Sequence, residues 1–354
     1  MSIKREFMGE TKDGAPVYLY HLVNSNDMEV TVLNYGVNLR SIFVKDRDGA
    51  RRDVLLGYEP FEEYFVNDVF LGASVGPVAN RTANAEYEIG GKKCHMSVNE
   101  NENNLHTDFD NGFHKRIWDA EEKDNSVLFT LKSSDGDLGF TGNRTFTIEV
   151  SLSEENEVKL HYHAESDEDT YINMTNHAYF NLGGQDSGSI LDHVMQLNAS
   201  NFTPVQDGKS IPTGEIRSVA GTPMDFTSPK AIGKDIDAEY DQLKFTSGYD
   251  HNFIIDGAVN ADGTVNTELK SFASVTNPAT GITMHCFTTL PGFQFYSGNF
   301  LKSNVGKDNV KYVARDGFCL ETQYYPNAIN TPAFPSPVFG KDKVYDTTTI
   351  YQFK

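Results

Sequence analysis

The chain has 354 residues, of which 38% are hydrophobic, with 24 Phe and 17 Tyr; such a chain can bury a large core in one large or two ordinary domains. Its formal net charge of −20 and pI near 4.8 argue against nucleic acid and anionic membranes as partners, because phosphate binding needs a basic surface. The N-terminus lacks the apolar stretch of a signal peptide, and no segment approaches the roughly 20 apolar residues of a membrane span, so we predict a cytoplasmic protein.

Neither the cysteines nor the composition indicates a division of the chain into domains. Three cysteines occur, Cys94, Cys286 and Cys319, and an odd, low count predicts buried free thiols rather than a disulfide framework. No linker of biased composition, internal repeat or low-complexity tract interrupts the sequence. We therefore predict one domain that spans residues 1–354.

Apolar and polar residues alternate with a period of two along much of the chain, which predicts β-strands. The clearest segments are residues 41–44, 53–56, 127–131, 145–152, 158–165 and 253–255. Asp48-Gly49 is a favoured hairpin turn and predicts that the first two segments pair. The polar turn at 153–157 predicts a second hairpin with one face in water.

Helical periodicity is rare, and only residues 60–64 and 230–240 favour short helical turns. The loops are long and rich in Asn, Asp and Gly, as at 99–111 and 206–210. Many strands, long loops and almost no helix predict an all-β fold, a large antiparallel β-sandwich with few short helices.

Residues 173–182 surround His177 with amides, a hydroxyl and two aromatic rings. Histidine exchanges a proton near neutral pH, and aromatic rings and amides suit the apolar faces and hydroxyls of a sugar. The alternative is a structural histidine that is hydrogen-bonded in a core.

Glu321 follows the apolar run 317–320 and precedes further amides and aromatic residues. A carboxylate at the end of a buried strand is costly unless it is paired or used. The alternative is a salt-bridged glutamate. With His177, it suggests an acid–base pair in carbohydrate-binding surroundings.

Three further positions offer groups for a sugar. His106 lies in the long amide-rich loop, where a histidine is commonly just solvated. Arg81 follows Asn80 and the apolar run 71–78, and its guanidinium has several donors for hydroxyl oxygens, although a surface ion pair is the alternative. Asp250 stands at the predicted start of a strand, and a carboxylate can hold two sugar hydroxyls.

Other patterns carry less weight. Residues 72–76 match G-x-S-x-G, but a nucleophile elbow needs a helix after the strand, and none is predicted. His161 and His163 share one exposed strand face, yet two ligands are too few for a typical zinc site. The sequence has no CxxC pair, P-loop or GxGxxG, so we predict no metal and no cofactor.

Together these segments resemble the aldose 1-epimerase (galactose mutarotase) family, in the same order and over nearly the whole chain. The matching segments are residues 34–36, 53–58, 80–81, 104–106, 175–182, 248–251, 291–299 and 321–323. The sequences TNHAYFNL at 175–182 and ETQ at 321–323 are highly specific to that family.

The resemblance implies a β-sandwich of many antiparallel strands with an open sugar cleft, and a reaction that interconverts the α and β anomers of a free aldohexose. The implied catalytic residues are Glu321 as base, His177 as acid and His106 as a second active-site histidine. The implied substrate-binding residues are Arg81, Asp250, Asn80 and Gln294. Galactose and glucose both stay open as substrates, and no oligomeric state follows.

The chain departs from the family pattern at three loops that we expect near the cleft. Pro77 replaces a common second arginine, and Thr107-Asp108 replaces two glycines after the loop histidine. Residues 139–142 read Gly-Phe-Thr-Gly rather than Gly-Tyr-Pro-Gly. These changes spare the proposed proton-transfer residues and bear on sugar preference.

Three rival functions remain open at the level of sequence. Glycoside hydrolysis commonly uses two carboxylates that flank the bond, whereas one carboxylate with histidines is predicted here. A sugar-binding or sensor protein would be expected to lose Glu321 or His177. A relative that acts on a phosphorylated hexose would favour a basic cluster, and none is obvious.

Overall fold

The computed structural model describes residues 2–354, and strands account for most of its regular structure. The strands, numbered in chain order, are β1 Ser2–Glu10, β2 Pro16–Val23, β3 Glu29–Leu33, β4 Leu39–Lys45, β5 Arg51–Asp53, β6 Ala73–Val75, β7 Arg81–Thr82, β8 Glu86–Ile89, β9 Lys92–His95, β10 Asn104–Leu105, β11 Asp119–Glu122, β12 Ser126–Ser133, β13 Arg144–Leu152, β14 Glu157–Ser166, β15 Thr170–Tyr171, β16 Thr175–His177, β17 Val194–Leu197, β18 Asn201–Thr203, β19 Arg217–Ser218, β20 Lys230–Ala231, β21 Asp250–Ile254, β22 Lys270–Thr276, β23 Thr283–Thr288, β24 Gly292–Tyr296, β25 Lys302–Val305, β26 Lys311–Val313, β27 Cys319–Gln323, β28 Val338–Phe339 and β29 Tyr345–Phe353. The α-helix is α1, Asp241–Thr246, and the 3₁₀ helices are Phe61–Phe65, Ala83–Ala85, Phe113–Lys115, Asp137–Gly139, Ile232–Lys234, Lys307–Asn309 and Ala328–Asn330.

Three antiparallel sheets form the body of the molecule. A nine-stranded sheet has the order β11-β12-β13-β14-β29-β23-β22-β17-β20, one five-stranded sheet is β1 to β5, and the other is β19-β18-β21-β24-β27. Both smaller sheets contact the large one through aromatic rings: Tyr20 lies 5.7 Å from Phe129, and Phe293 lies 4.6 Å from Phe272. The predicted all-β antiparallel sandwich is therefore confirmed.

Both predicted hairpins form. Strands β13 and β14 pair with Val150 opposite Leu160, and their apolar residues are buried. Strands β4 and β5 flank Asp48-Gly49, but the second strand ends at Asp53, so the prediction of a strand at 53–56 was wrong. Residues 54–56 continue the apolar run and are fully buried. A continuous apolar run is typical of a segment that is enclosed on all sides, whereas a strand with one exposed face alternates.

The helix predictions hold only in part. The first predicted turn is the 3₁₀ helix Phe61–Phe65. Within 230–240 only Ile232–Lys234 is helical, and α1 follows it at Asp241–Thr246. Helix α1 is anchored by a tertiary contact, since the amide of Gln242 bonds both the N–H and the C=O of Val205. No helix within residues 2–354 is long and apolar enough to cross a membrane.

Strands β21, β24 and β27 determine where polar and apolar side chains lie. Asn252 stands opposite Gln294, and Gln294 stands opposite Glu321. Because side chains alternate between the two faces of a strand, the neighbours Phe253 and Phe293 lie on the other face, in the main core. One face of this sheet therefore faces the core and the other carries the polar groups described below.

Candidate active site

Most of the predicted site residues line one cleft of about 340 Å³. These residues are Asn80, Arg81, His106, His177, Asp250 and Glu321. Gln294 does not line the cleft, but its Nε2 donates to Asp250 Oδ1 at 2.7 Å. The structure thus brings together residues that are far apart in the sequence, since 241 positions separate Asn80 from Glu321.

Glu321 is almost completely buried in the middle of β27, rather than at the end of a strand as predicted. Its Oε1 lies 3.7 Å from His177 Nε2, and its Oε2 is buried without a hydrogen-bond partner in the described chain. Burial and the charge of Asp250 raise the pKa of Glu321 well above its ordinary value, against the opposing charge of Arg81. An unpartnered carboxylate oxygen of this kind is available to a ligand hydroxyl.

His177 is the last residue of β16. Its Nδ1 lies 3.5 Å from Cys319 Sγ, and its Nε2 faces Glu321. Burial lowers the pKa of His177 to about 4, although a backbone hydrogen bond opposes the shift. The imidazole is therefore uncharged at neutral pH in the empty cleft.

Burial acts on Glu321 and His177 in a consistent direction. It favours an uncharged carboxyl and an uncharged imidazole over the ion pair, because two charges would have to leave water. Burial therefore shifts a proton shared by the pair towards Glu321 and away from His177. Such a pair can give up one proton and accept another without a net change in charge.

His106 is buried to the same extent as His177, with 6% of each exposed, so the predicted open loop around it was wrong. The backbone N–H of Asn80 donates to the ring nitrogen Nδ1 of His106 at 3.1 Å. The backbone N–H of His106 donates to the backbone oxygen of Asn80 at 3.0 Å. A neutral ring whose Nδ1 accepts must carry its proton on Nε2. Burial and the charges of His177 and Arg81 keep the pKa of His106 well below its ordinary value.

The same three groups are close enough to suggest a metal site. One ligand atom from each of His106, His177 and Glu321 lies within 4.8 Å of the other two. However, His106 Nε2 would have to lose its proton to bind a metal, and moving that proton to Nδ1 would set it against the Asn80 N–H. The donor set fits hydrogen bonding better than metal coordination.

Arg81 forms the ion pair that was its alternative interpretation, but on the wall of the cleft. Its Nε and Nη2 donate to the two carboxylate oxygens of Glu100 at 2.6 and 2.8 Å. Only 11% of the Arg81 side chain is exposed. The remaining guanidinium donors are therefore held rigidly for an acceptor in the cleft.

Aromatic side chains form much of the cleft wall and were not predicted individually. They are Phe70, Phe109, Tyr179, Phe245, Tyr296 and Phe300. Phe70 lies 4.7 Å from the His106 ring and 5.9 Å from the His177 ring. Tyr179 and Tyr296 stand in segments that match the family, which was the available signal. Phe245 lies in α1 and Phe300 in a loop, and no local pattern reveals how either packs.

The departures from the family pattern do not line the cleft. Thr107 lies directly behind His106, with φ +68°, a conformation that a β-branched residue rarely adopts. Its hydroxyl donates to Val78 O at 2.8 Å and accepts from Val78 N at 3.0 Å. This side chain therefore stabilises the turn that carries the histidine.

The lower-weight patterns lie outside the cleft. Asp346 accepts from His161 Nε2 at 3.1 Å and contacts His163 Nδ1 at 3.3 Å on a partly exposed face. Ser74 lies in β6 and donates to Val37 O, and the next element after β6 is strand β7 rather than the helix of a nucleophile elbow. All three cysteines are buried free thiols, as predicted.

Comparison with known proteins agrees with this geometry. The family model described as Aldose 1-epimerase matches residues 18–352. The chain is 36% identical to galactose mutarotase of Bos taurus over 354 residues, which is 100% of this chain and 99% of the relative. It is 38% identical to aldose 1-epimerase of Escherichia coli strain K12 over 344 residues, which is 96% of each.

Solved structures give the same result. The galactose 1-epimerase of Lactobacillus acidophilus superposes with a TM-score of 0.84 at 27% identity, covering 100% of this chain and 99% of that one. An aldose epimerase homologue of C. elegans superposes with a TM-score of 0.83 at 26% identity, covering 95% and 98%. The chain therefore belongs to the aldose 1-epimerase family.

Proposed function

We propose that this protein is an aldose 1-epimerase that interconverts the α and β anomers of a free aldohexose such as galactose or glucose. The observation that carries the proposal is the contact between His177 Nε2 and Glu321 Oε1, 3.7 Å apart in the floor of the cleft. The activities in the names of the relatives support it.

The reaction needs a base at the C1 hydroxyl and an acid at the ring oxygen. Glu321, as the carboxylate, removes the hydroxyl proton while protonated His177 donates a proton to the ring oxygen. The bond between C1 and the ring oxygen breaks, and an open-chain aldehyde forms. Rotation about C1–C2 presents the other face of the carbonyl, and the steps reverse with the roles exchanged.

Glu321 and His177 together carry out these proton transfers with no net gain or loss of protons. Without a ligand, burial favours the uncharged pair, with the shared proton on Glu321 rather than on His177. The active arrangement needs that proton on His177, and hydrogen bonds from sugar hydroxyls to the carboxylate favour it. Each well-placed acid or base contributes roughly 10²–10⁴-fold to the rate.

His106 stabilises charge rather than transferring a proton. Its Nε2–H is held towards the cleft because Asn80 occupies Nδ1. A neutral donor can bond an oxygen that becomes more negative during ring opening, which stabilises the transition state.

The remaining site residues hold the sugar. Arg81 offers the guanidinium donors that Glu100 does not use, and Asp250 offers its second carboxylate oxygen. Asn80 lines the cleft beside them, and Gln294 acts through Asp250. The aromatic wall suits the apolar faces of a pyranose ring.

Polarimetry on freshly dissolved single anomers tests the proposed function. Either anomer of galactose or glucose should approach the same equilibrium rotation faster with the protein than in buffer, with no new product by NMR. A panel of free sugars then gives the preferred substrate. Equal rates with and without protein for every sugar would refute the proposal.

A methyl glycoside separates this function from hydrolysis, which the nearby Asp250 and Glu321 make worth testing. The methyl group leaves no proton on the C1 oxygen for Glu321 to remove, while the other hydroxyls can still bind. Methyl galactoside or methyl glucoside should therefore inhibit weakly and competitively and never be cleaved. Release of methanol would favour the hydrolase.

A further inference from the structure

Behind the cleft, three amide side chains form a buried chain of hydrogen bonds that ends on Asp250. Gln323 Nε2 donates to Gln294 Oε1 at 3.2 Å and to Asn252 Oδ1 at 3.2 Å. Gln294 Nε2 donates in turn to Asp250 Oδ1 at 2.7 Å. All of these side chains are buried, and Gln323 has no exposed surface.

The carboxylate gives this chain one direction. An ionised Asp250 can only accept, so Gln294 must turn its NH₂ towards it and its carbonyl oxygen away. That oxygen then requires a donor, which only the NH₂ of Gln323 supplies among its hydrogen-bond partners. Reversing Gln294 or Gln323 would place two oxygens against each other, and reversing Asn252 would place two NH₂ groups against each other.

We propose that Gln323 is a positioning residue that fixes the amide of Gln294 and, through it, the sugar-binding orientation of Asp250. The inference rests on the proposed function, because it assumes that Asp250 binds a sugar hydroxyl. It adds a third layer to the site: Gln323 touches neither the cleft nor the substrate. The Oε1 of Gln323 is buried without a hydrogen-bond partner, so burying this side chain leaves one of its own polar atoms unsatisfied.

The arrangement also affects the charge of Asp250. Burial raises the pKa of this carboxyl, while Arg81 and the hydrogen bond from Gln294 oppose the rise. A Gln294 amide that is free to reverse would withdraw that donor. Gln323 therefore helps to keep Asp250 an acceptor, with Oδ2 left for a hydroxyl in the cleft.

A double-mutant cycle in the full-length protein tests the coupling. Gln323→Met keeps the volume and removes the donors, so KM should rise roughly tenfold, the effect of one hydrogen bond to a buried charged group, while kcat changes little. In a Gln294→Met background the same change should leave KM unaltered, because its target is gone. A KM effect of equal size in both backgrounds, or none in either, overturns the inference.

Gln323→Glu gives a second measurement with nearly the same shape. An ionised carboxylate at this position repels Gln294 Oε1, whereas a protonated one can donate to it. The ratio of variant to wild-type KM should therefore be largest at alkaline pH and decrease as the pH falls. Wild type serves as the reference at each pH because Asp250 and Glu321 titrate nearby. A ratio that does not depend on pH contradicts the positioning role.

The matched control is Thr322→Val, on the opposite face of the same strand. It removes a buried hydrogen bond to Thr349 Oγ1 without touching the cleft. Its thermal stability should fall while KM stays at the wild-type value, whereas a rise in KM like that of Gln323→Met would mean that both changes act through the strand alone. Inactive wild-type protein refutes the proposed function and this inference together; active wild type with a normal KM in Gln323→Met refutes only the inference.

Discussion

The two faces of the sheet that contains β21, β24 and β27 differ in the kind of side chain that they bury. On the core face, Phe253 and Phe293 stack with ring centroids 5.8 Å apart, and both are fully buried. On the cleft face, Glu321 and Gln323 are buried just as deeply, yet each has a side-chain oxygen without a partner. Burial alone therefore does not distinguish the core from the site, whereas the chemistry of the buried groups does.

Each of these three strands therefore contributes side chains both to the core and to the site. Alternation commonly separates a dry face from a wet one, but here the named side chains of both faces are buried. The core face gains stability from packed apolar area. The cleft face gives up stability by burying polar groups, and one of them, the Oε2 of Glu321, is placed where a substrate hydroxyl can complete its hydrogen bonds.

The largest effect is expected from Glu321→Gln. The amide keeps the shape of the side chain but cannot accept the C1 hydroxyl proton, so kcat should fall by roughly 10²–10⁴-fold. Calorimetry should show sugar binding that is largely retained. A variant with a nearly normal rate would remove Glu321 from the mechanism and weaken the contrast between the two faces.

His177→Asn should lower kcat more than His106→Asn. Asparagine at position 177 can hydrogen-bond the ring oxygen but cannot protonate it, whereas His106 already acts as a neutral donor that an amide NH₂ can partly replace. Steady-state rates of the two variants give the order directly. Equal or reversed losses would mean that the roles of the two histidines are exchanged.

The pH dependence should show a window set by the shared proton. Below the His177 pKa of about 4 both groups are protonated, so no base remains and kcat/KM should decrease as the pH falls. As the pH rises through the elevated Glu321 pKa, the pair loses its only proton and the rate should decrease again. The measurement is the protein-dependent rate after subtraction of the buffer rate; an acid limb near the ordinary histidine pKa of about 6.5 would contradict the buried pair.

The smallest effect on turnover is expected on the core face. Phe293→Leu removes ring contacts with Phe253 and Phe272, so the free energy of unfolding should fall by about 1–3 kcal/mol. The value of kcat/KM should stay near that of wild type well below the unfolding temperature. Denaturation and polarimetry on one preparation provide both measurements, and a loss of activity without a loss of stability would show that the two faces are coupled.

Sequence reasoning predicted the fold and most of the cleft because the relevant signals are local. Period-two alternation identified the β13–β14 hairpin, and the TNHAYFNL and ETQ segments identified His177 and Glu321. The enclosure of His106 depends on contacts between distant loops, as do the positions of Phe245 and Phe300, and no local pattern encodes them. The single domain and the cytoplasmic location stay predictions.

The pairing of Arg81 with Glu100 has a consequence for how a sugar finds the cleft. The two charges cancel, and the guanidinium is already immobilised, so binding a neutral sugar requires little further loss of side-chain entropy. A molecule with a formal charge of −20 therefore exerts no electrostatic steering on its substrate, and ionic strength should leave the encounter rate unchanged.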